Sequence, residues 1–370
     1  MRRHNPPTIL FAGGGSGGHI FPNLAVVERL REKGVAFEPL LLLSERSLDS
    51  QIARQNNVLS AALPVQPMRR SPRTWPGFYL AWRRSVALVR QIVQVRRVTA
   101  VVATGGFVSG PAVVAVRGQI PIVLINLDAV PGTANRRLAR HCSSLFSAYD
   151  VTDWPHAQRV GLPLRRCARV ENEPVSARQQ LGLAPDTETL LVTGGSQGAR
   201  SINQMMMTWV GREQVRDVLR RWQVIHLCGS VDQPELRKAY AQAGVPVQIW
   251  NFCDQMGLAW RASTIAISRA GAGSVAEAWA NAVPCLLLPY PYHRDGHQRQ
   301  NAEPVLEAGG CMTMRDLVDP VANATALDER LLPLLSNGTR RREMAERLRE
   351  TYPGDGAETV AQWLVGQLNF

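Results

Sequence analysis

The sequence predicts an α/β protein made of two doubly wound parallel-sheet domains facing a cleft. Three observations predict it. The chain has 370 residues, enough for roughly two domains of about 100–200 residues each. Short apolar runs alternate with helix-period stretches along its length. Each half opens with an apolar run, a glycine turn and a helical stretch, at Gly13 and again at Gly194, about 180 residues apart.

Taken in order, Thr8 to Ala12 reads as a buried strand, Gly13 to Gly18 as a turn and His19 to Lys33 as a helix. Phe37 to Leu43 is the second strand, Gln51 to Gln55 opens a short helix, and Leu59 to Pro64 is a short strand. Trp82 to Arg97 is amphipathic and helical. Ala100 to Ala103 is a strand ending in Thr104-Gly105-Gly106, with Pro111 to Arg117 helical behind it. Pro121 to Ile125, a helix over Thr133 to Arg140 and a strand over Ser144 to Ala148 complete the first half. In the second half Leu190 to Thr193 is a strand, Gly194 to Ala199 a turn and Arg200 to Trp209 a helix. Trp222 to Cys228, Val247 to Trp250, Ile265 to Ser268 and Cys285 to Pro289 are further strands, and a last helix spans Ala357 to Leu368. The expected division is residues 1–161, completed by a C-terminal helix over 356–370, and residues 162–355.

The formal charge is +12, carried mostly by scattered arginines, which suits nucleic acid, anionic lipid or phosphorylated ligands, or simple solubility. With 45% hydrophobic and 19% charged residues the chain can build cores and is not disordered. Six singly spaced cysteines make no metal pattern and point to a reducing compartment without structural zinc. No 18-residue apolar stretch exists to span a membrane, and the run Thr8 to Ala12 is too short for a signal segment.

Five stretches carry chemical signals. Gly13, Gly15 and Gly18 make a G-x-G-x-x-G loop, weak by itself; the acidic residue due at the end of the second strand is met only loosely, by Glu45. His19 follows at a helix start, where it could serve as a base or have no duty. Gly194 to Arg200 repeats the anion-cradle logic. Ser268 to Glu277 reads as strand, tight turn and helix start, offering backbone N–H groups to an anion, with Glu277 one turn in to reach a ribose. The same letters, Ser274-x-x-Glu277, also spell a capping box. Tyr290 to Asn301 is dense in polar groups at a strand's C-terminal end, and His297 and Gln298 could bind sugar hydroxyls. Arg69, Arg70, Arg73, Trp75, Phe78, Tyr79 and Trp82 mix aromatics and cations. That mixture fits a membrane-surface patch, a single-stranded nucleic-acid platform, or a packed helix with an arginine rim.

Together, Gly13 to Pro22, Gly105 to Pro111, Gly194 to Arg200, and Ser268 to Glu277 with His297-Gln298-x-x-Asn301 resemble the GT-B glycosyltransferases of family 28, in the group of MurG transferases that add GlcNAc to lipid I. The resemblance covers most of the chain. It implies two Rossmann-like domains, an inverting reaction, UDP-GlcNAc held mainly by the C-terminal domain and undecaprenyl-linked lipid I mainly by the N-terminal one, with no cofactor and no metal. It assigns Ser16, Gly17, Gly18, Arg165, Ser196, Phe252, Cys253, Ala272, Gly273, Ser274, Glu277, His297 and Gln298 to UDP-GlcNAc. It assigns Gly14, Gly15, Ser16, Gly105, Gly106 and Asn126 to the acceptor. It places the aromatic-arginine patch on an anionic membrane at the cytoplasmic face of the bacterial inner membrane, with other cell-wall synthesis proteins as possible partners and no nucleic acid. His19 and Asp128 are the candidate bases.

Two departures from the family stand out. Ile125-Asn126-Leu127-Asp128 replaces the family's His-Glu-Gln-Asn, and Gly161-Leu162-Pro163 replaces its Gly-Asn-Pro hinge. The alternatives are a family-28 enzyme with another acceptor, an NAD(P)-linked oxidoreductase resting on the first glycine loop, or a silent UDP-sugar-binding cell-wall protein.

Overall fold

Continuous apolar runs such as Leu40-Leu41-Leu42-Leu43 suit strands covered on both faces, and the computed structural model buries them so. It describes residues 6–68, 71–195, 198–230, 232–292 and 296–368. The chain divides into two units: residues 1–165 with 353–370, and residues 166–352.

The first unit holds a parallel sheet of β1 (Thr8–Ala12), β2 (Glu38–Ser44), β3 (Leu59–Leu63), β4 (Val98–Ala103), β5 (Ile122–Asn126), β6 (Ser144–Ser147) and β7 (Gln158–Arg159), in the order β3-β2-β1-β4-β5-β6-β7. The second holds β8 (Thr189–Thr193), β9 (Gln223–Leu227), β10 (Val247–Trp250), β11 (Ile265–Ser268), β12 (Cys285–Leu287) and β13 (Cys311–Thr313), in the order β10-β9-β8-β11-β12-β13. Both sheets reverse their winding beside their first strand: between β1 and β4, and between β8 and β11. In open parallel sheets such a switch point leaves a crevice at the strands' C-terminal ends. The four glycine-bearing stretches follow these four strands.

Several boundaries differ from the sequence expectation. The amphipathic helix begins at Trp75, not Trp82, because Pro76 sits in its first turn, where no N–H is needed. The helix expected from Pro111 begins at Gly106; it is buried nearly all round, so no polar face marks its start. β7 and β13, two and three residues long, carry too few side chains to show a period.

The last helix, Gly356–Leu368, belongs to the first unit. Trp363 meets Phe146 edge-on at 6.2 Å between ring centres, and Lys33 pairs with Glu358. The guanidinium of Arg29, almost fully buried, donates to Asp355 at 2.8 Å and to the Leu164 carbonyl at 3.0 Å. The incoming and outgoing strands of chain touch backbone to backbone: a Cβ on Gly356 would lie 1.6 Å from the Gly161 carbonyl oxygen. Glycine is required there by contact alone.

In the second unit His226 is fully buried under the helix Arg200–Val210. The Asn203 amide nitrogen donates to the Cys228 carbonyl (3.0 Å), so its oxygen accepts from His226 Nε2 (3.1 Å), and His226 Nδ1 accepts from the Tyr240 hydroxyl (3.0 Å). Burial pushes this imidazole down to about 3. Below the ordinary value of 6.5 the unfolded chain takes up a proton that the folded chain refuses. Stability from this group is therefore present above pH 6.5 and lost as pH falls toward 3, by about 1.4 kcal/mol per unit. In urea melts between pH 7 and 5, His226→Gln should lack that slope relative to the parent; equal slopes would exclude His226 as its source.

Candidate functional site

In the first unit the loop after β1 is pressed against the loop after β4. A Cβ on Gly13 would lie 2.2 Å from Thr104 Oγ1 and 2.5 Å from the His19 carbonyl oxygen. Thr104 Oγ1 donates to that carbonyl at 2.7 Å, and the Asn23 amide donates to Thr104 Oγ1 at 3.2 Å. His19, half-buried in the first turn of the helix Gly17–Glu32, sets its Nδ1 3.0 Å from the Thr104 carbonyl oxygen. A carbonyl only accepts, so Nδ1 carries the hydrogen and Nε2 keeps its lone pair. Nε2 lies over Gly106, where a Cβ would stand 3.4 Å away. An imidazole with one nitrogen anchored and the other bare is arranged as a base.

Ser16 is the N-cap of that helix, its side chain not capping, and Gly17 and Gly18 are the first helical residues. The Gly15 N–H is not free for an acceptor: it donates to Asp49 Oδ2 at 2.7 Å. Asp49, fully buried, also accepts from the Ser44 N–H (3.1 Å) and hydroxyl (2.6 Å). Gly14 packs on the same carboxylate, where a Cβ would come within 2.7 Å. Gly14 and Gly15, expected at the acceptor, thus seat the loop through Asp49. Glu45, the acidic residue expected near the end of β2, is exposed; the carboxylate that serves the loop is Asp49, inside the next helix.

Gly105 and Gly106 both have left-handed backbones, φ 95° and 74°. A Cβ on Gly105 would meet the Asn135 side chain at 2.6 Å. Asn126 is buried and its amide is spent: the nitrogen donates to the Asp128 carbonyl (2.7 Å) and Ser147 Oγ (3.0 Å), and the oxygen accepts from Asn135 (3.2 Å). Asn126, expected at the acceptor, holds the backbone of the loop through these bonds. Asp128 is half-buried; burial and then its charge raise the nearby Tyr149 phenol. Arg165 donates to Glu28 at 2.7 Å within this unit.

In the second unit Gly194 and Gly198 leave no room for side chains: Cβ atoms there would lie 2.2 Å from the Ala199 nitrogen and 2.6 Å from the Cys228 carbonyl oxygen. Ser196, between them, lies outside the described residues. The helix after β11 is Ala272–Ala280 with Gly271 as N-cap, so Ser274 is its third residue and the capping-box reading of Ser274 and Glu277 fails. The first intrahelical bond runs from Val275 N–H to the Gly271 carbonyl (3.0 Å), leaving the amides of Ala272, Gly273 and Ser274 ahead of it. Cβ atoms on Gly271 or Gly273 would meet nothing within 4 Å, so this helix start faces open space, as an anion requires.

One turn on, Glu277 Oε2 accepts from the buried indole of Trp260 at 2.8 Å. Burial pushes the Glu277 carboxyl up to about 7, against the opposing pull of that bond. Phe252 is exposed and Cys253 half-buried on the turn after β10; burial raises the Cys253 thiol. His297 opens the helix His297–Glu307 after Gly296, and Gln298 Oε1 accepts the Tyr290 N–H at 2.8 Å, leaving its amide hydrogens available.

The patch on the helix Trp75–Val95 divides. Trp75 and Tyr79 are exposed, with Leu80 beside them and Arg83 5.9 Å from the Tyr79 ring. Arg73 is exposed just upstream. Phe78 and Trp82 pack on the core instead, Trp82 so tightly that a Cβ on Gly110 would come within 2.4 Å of its ring. Arg69 and Arg70 lie outside the described residues. Among the described residues no helix is long and apolar enough to cross a membrane, and no group of three or more His, Cys, Asp and Glu could hold a metal.

The chain is similar to known proteins over most of its length. The glycosyltransferase family 28 N-terminal domain matches residues 9–147, and the family 28 C-terminal domain matches residues 189–360. A UDP-N-acetylglucosamine--N-acetylmuramyl-(pentapeptide) pyrophosphoryl-undecaprenol N-acetylglucosamine transferase of Leifsonia xyli is 38% identical, over 95% of this chain and 96% of its own. The protein of the same name in Streptomyces coelicolor is 32% identical, over 91% of this chain and 92% of its own. The crystal structure of Acinetobacter baumannii MurG superposes with a TM-score of 0.74 at 23% identity, covering 98% of this chain and 100% of that one. The glycosyltransferase SnogD of Streptomyces nogalater superposes at 0.68 with 16% identity, covering 98% and 99%. The fold is that of the GT-B glycosyltransferases, and with both halves matched the chain belongs to glycosyltransferase family 28.

Proposed function

We propose that this chain transfers GlcNAc from UDP-GlcNAc to lipid I, undecaprenyl-diphospho-MurNAc-pentapeptide, forming lipid II with inversion at the sugar. The observation that carries the reading is the second unit's switch point: three open helix-start amides with a carboxylate one turn away, in a chain 38% identical to a transferase of that name. The amides of Ala272, Gly273 and Ser274 take the diphosphate, and Glu277 takes the ribose hydroxyls. Ser196 lies in the nucleotide loop, Phe252 and Cys253 flank the uracil, and His297 and Gln298 bind the GlcNAc hydroxyls. The acceptor belongs to the first unit, with Gly105, Gly106 and the Ser16 to Gly18 turn facing its diphosphate.

The acceptor hydroxyl attacks C1 of GlcNAc as the C1–O bond to UDP breaks. His19 Nε2 takes the hydroxyl proton, with Asp128 the second candidate. The helix-start amides stabilise charge growing on the leaving diphosphate. Trp75, Tyr79 and Leu80, ringed by Arg73, Arg83 and Arg84, rest on anionic lipid at the cytoplasmic face of the inner membrane, where other cell-wall synthesis proteins also work.

A second reading keeps the donor and changes the acceptor. The residues Ile125 to Asp128 favour it, since they replace side chains the family places near the reacting sugars. Incubating the protein with radiolabelled UDP-GlcNAc and a panel of polyprenyl-linked acceptors decides. Transfer to lipid I supports the first reading, and transfer only to another acceptor supports the second. Binding of UDP without transfer to any acceptor would leave a silent UDP-sugar-binding protein.

A further inference from the structure

Arg269 follows β11 directly, and its side chain is almost fully buried. Its guanidinium reaches in three directions. Nη1 pairs with Asp316 Oδ2 at 2.8 Å and donates to the Leu288 carbonyl at 3.1 Å. Nη2 donates to Ser201 Oγ at 2.7 Å, and Ser201 passes its own hydrogen to Asp316 Oδ2 at 2.7 Å. The carbon of the fork lies 5.6 Å from the centre of the Tyr290 ring. The far oxygen of Asp316 accepts from the Val318 N–H and the Asn323 amide, both at 2.8 Å. Burial alone would push the Asp316 carboxyl up; these hydrogen bonds and the Arg269 charge outweigh it and hold it below its ordinary value. Asp316 is therefore ionised at neutral pH.

The partners have one thing in common: each sits just past the C-terminal end of a strand. Ser201 is in the first turn of the helix after β8, Arg269 follows β11, Leu288 and Tyr290 follow β12, and Asp316 follows β13. One buried fork thus fastens four neighbouring strand ends. Two of those segments carry the groups that the proposed function gives to UDP-GlcNAc: the 272–274 amides after β11, and Tyr290, whose N–H engages Gln298. Arg269 itself faces inward, so it contributes by fixing where the others stand.

We propose that Arg269 is a positioning residue for the donor, setting the 272–274 amides against Gln298 and the start of the helix that carries Ser201 so that one nucleotide-sugar is met by all of them. The inference rests on the UDP-GlcNAc reading. A lysine keeps the charge beside Asp316 but cannot reach Ser201, Leu288 and Asp316 together, because an ammonium is a point charge without a planar fork. An effect through loop placement differs from plain destabilisation, because it raises the KM for the donor in enzyme that is fully folded.

The test uses the full chain with a lipid I analogue. Arg269→Lys should raise the KM for UDP-GlcNAc about tenfold or more, the effect of one or two lost charge-assisted hydrogen bonds, while kcat and the acceptor KM change less than about threefold. Ser201→Ala, which removes one arm of the network, should raise it by a smaller factor and gives the answer if Arg269→Lys does not fold. Arg212→Lys is the stability control. Arg212 lies just past the other end of the helix whose first turn holds Ser201, paired with Asp328. It should lower Tm without raising the donor KM. A donor KM unchanged in Arg269→Lys or, failing its folding, in Ser201→Ala overturns the inference, as does an equal rise in Arg212→Lys. A parent enzyme that transfers no GlcNAc overturns the UDP-GlcNAc reading and this inference with it.

Discussion

His19→Ala should lower kcat for GlcNAc transfer by roughly 10²–10⁴, the usual worth of a positioned general base, and leave the KM for UDP-GlcNAc within a few-fold. The expectation follows from how the ring is fixed. Its Nδ1 is committed to the Thr104 carbonyl at 3.0 Å, so only Nε2 can take a proton. Thr104 is in turn tied to the His19 carbonyl, so the ring is anchored through its own backbone and cannot swing aside. His19→Gln can keep a hydrogen bond to Thr104 but supplies no base of useful strength, so it should be nearly as slow as His19→Ala. Asp128→Asn is the companion measurement: near-normal kcat in both His19→Ala and Asp128→Asn would show that neither residue is the base, and a loss confined to Asp128→Asn would give it the role.

Glu277→Ala should weaken UDP-GlcNAc binding by about a hundredfold, since hydrogen bonds to a charged acceptor are worth about 1.5–3 kcal/mol each. The pH dependence is more diagnostic. In the empty protein the Glu277 carboxyl titrates at about 7, above its ordinary 4.5. A ribose hydroxyl donates to a carboxylate, so the nucleotide binds the ionised form and must expel the proton wherever the free group is neutral. Affinity for UDP-GlcNAc, whose diphosphate does not titrate in this range, should therefore fall as pH drops below 7, by up to tenfold per unit, with a proton released on binding. The empty protein shows the opposite trend: the contribution of Glu277 to stability is full below pH 4.5 and lost as pH rises through 7. Calorimetric titrations with UDP-GlcNAc in buffers of differing ionisation enthalpy read the proton directly. A flat affinity between pH 8 and 6 would remove Glu277 from the ribose site, and Glu277→Gln should be flat by design.

The strands and glycine turns were legible in the sequence because their signals are local. Apolar runs such as Thr8 to Ala12 and Ile265 to Ser268 can be read by eye, and a loop where a Cβ would stand 2.2 Å from a neighbour admits only glycine. What stayed hidden depends on partners far along the chain. Asp49 serves Gly15 across 34 residues, and no spacing rule points to it. Trp260 lies 17 residues before Glu277 with no motif to join them, yet its indole holds the carboxylate that meets the nucleotide in the proposed function. The capping box failed because Gly271 and Ala272 start the helix earlier than the side-chain pattern suggests. The aromatic patch divided because helical spacing puts four rings near one another without saying which of them face the sheet.

The backbone contact between Gly161 and Gly356 has a consequence for how the molecule is made. The helix that completes the first unit leaves the ribosome only after all of residues 166–352 have been synthesised. At about 5–20 residues per second, that interval is on the order of ten to forty seconds. Throughout it Arg29 lacks Asp355, and Phe146 lacks the ring of Trp363. The nascent first unit, its seven strands already translated, is therefore exposed along the very surface its last helix will cover, and its completion is timed by the birth of the other unit.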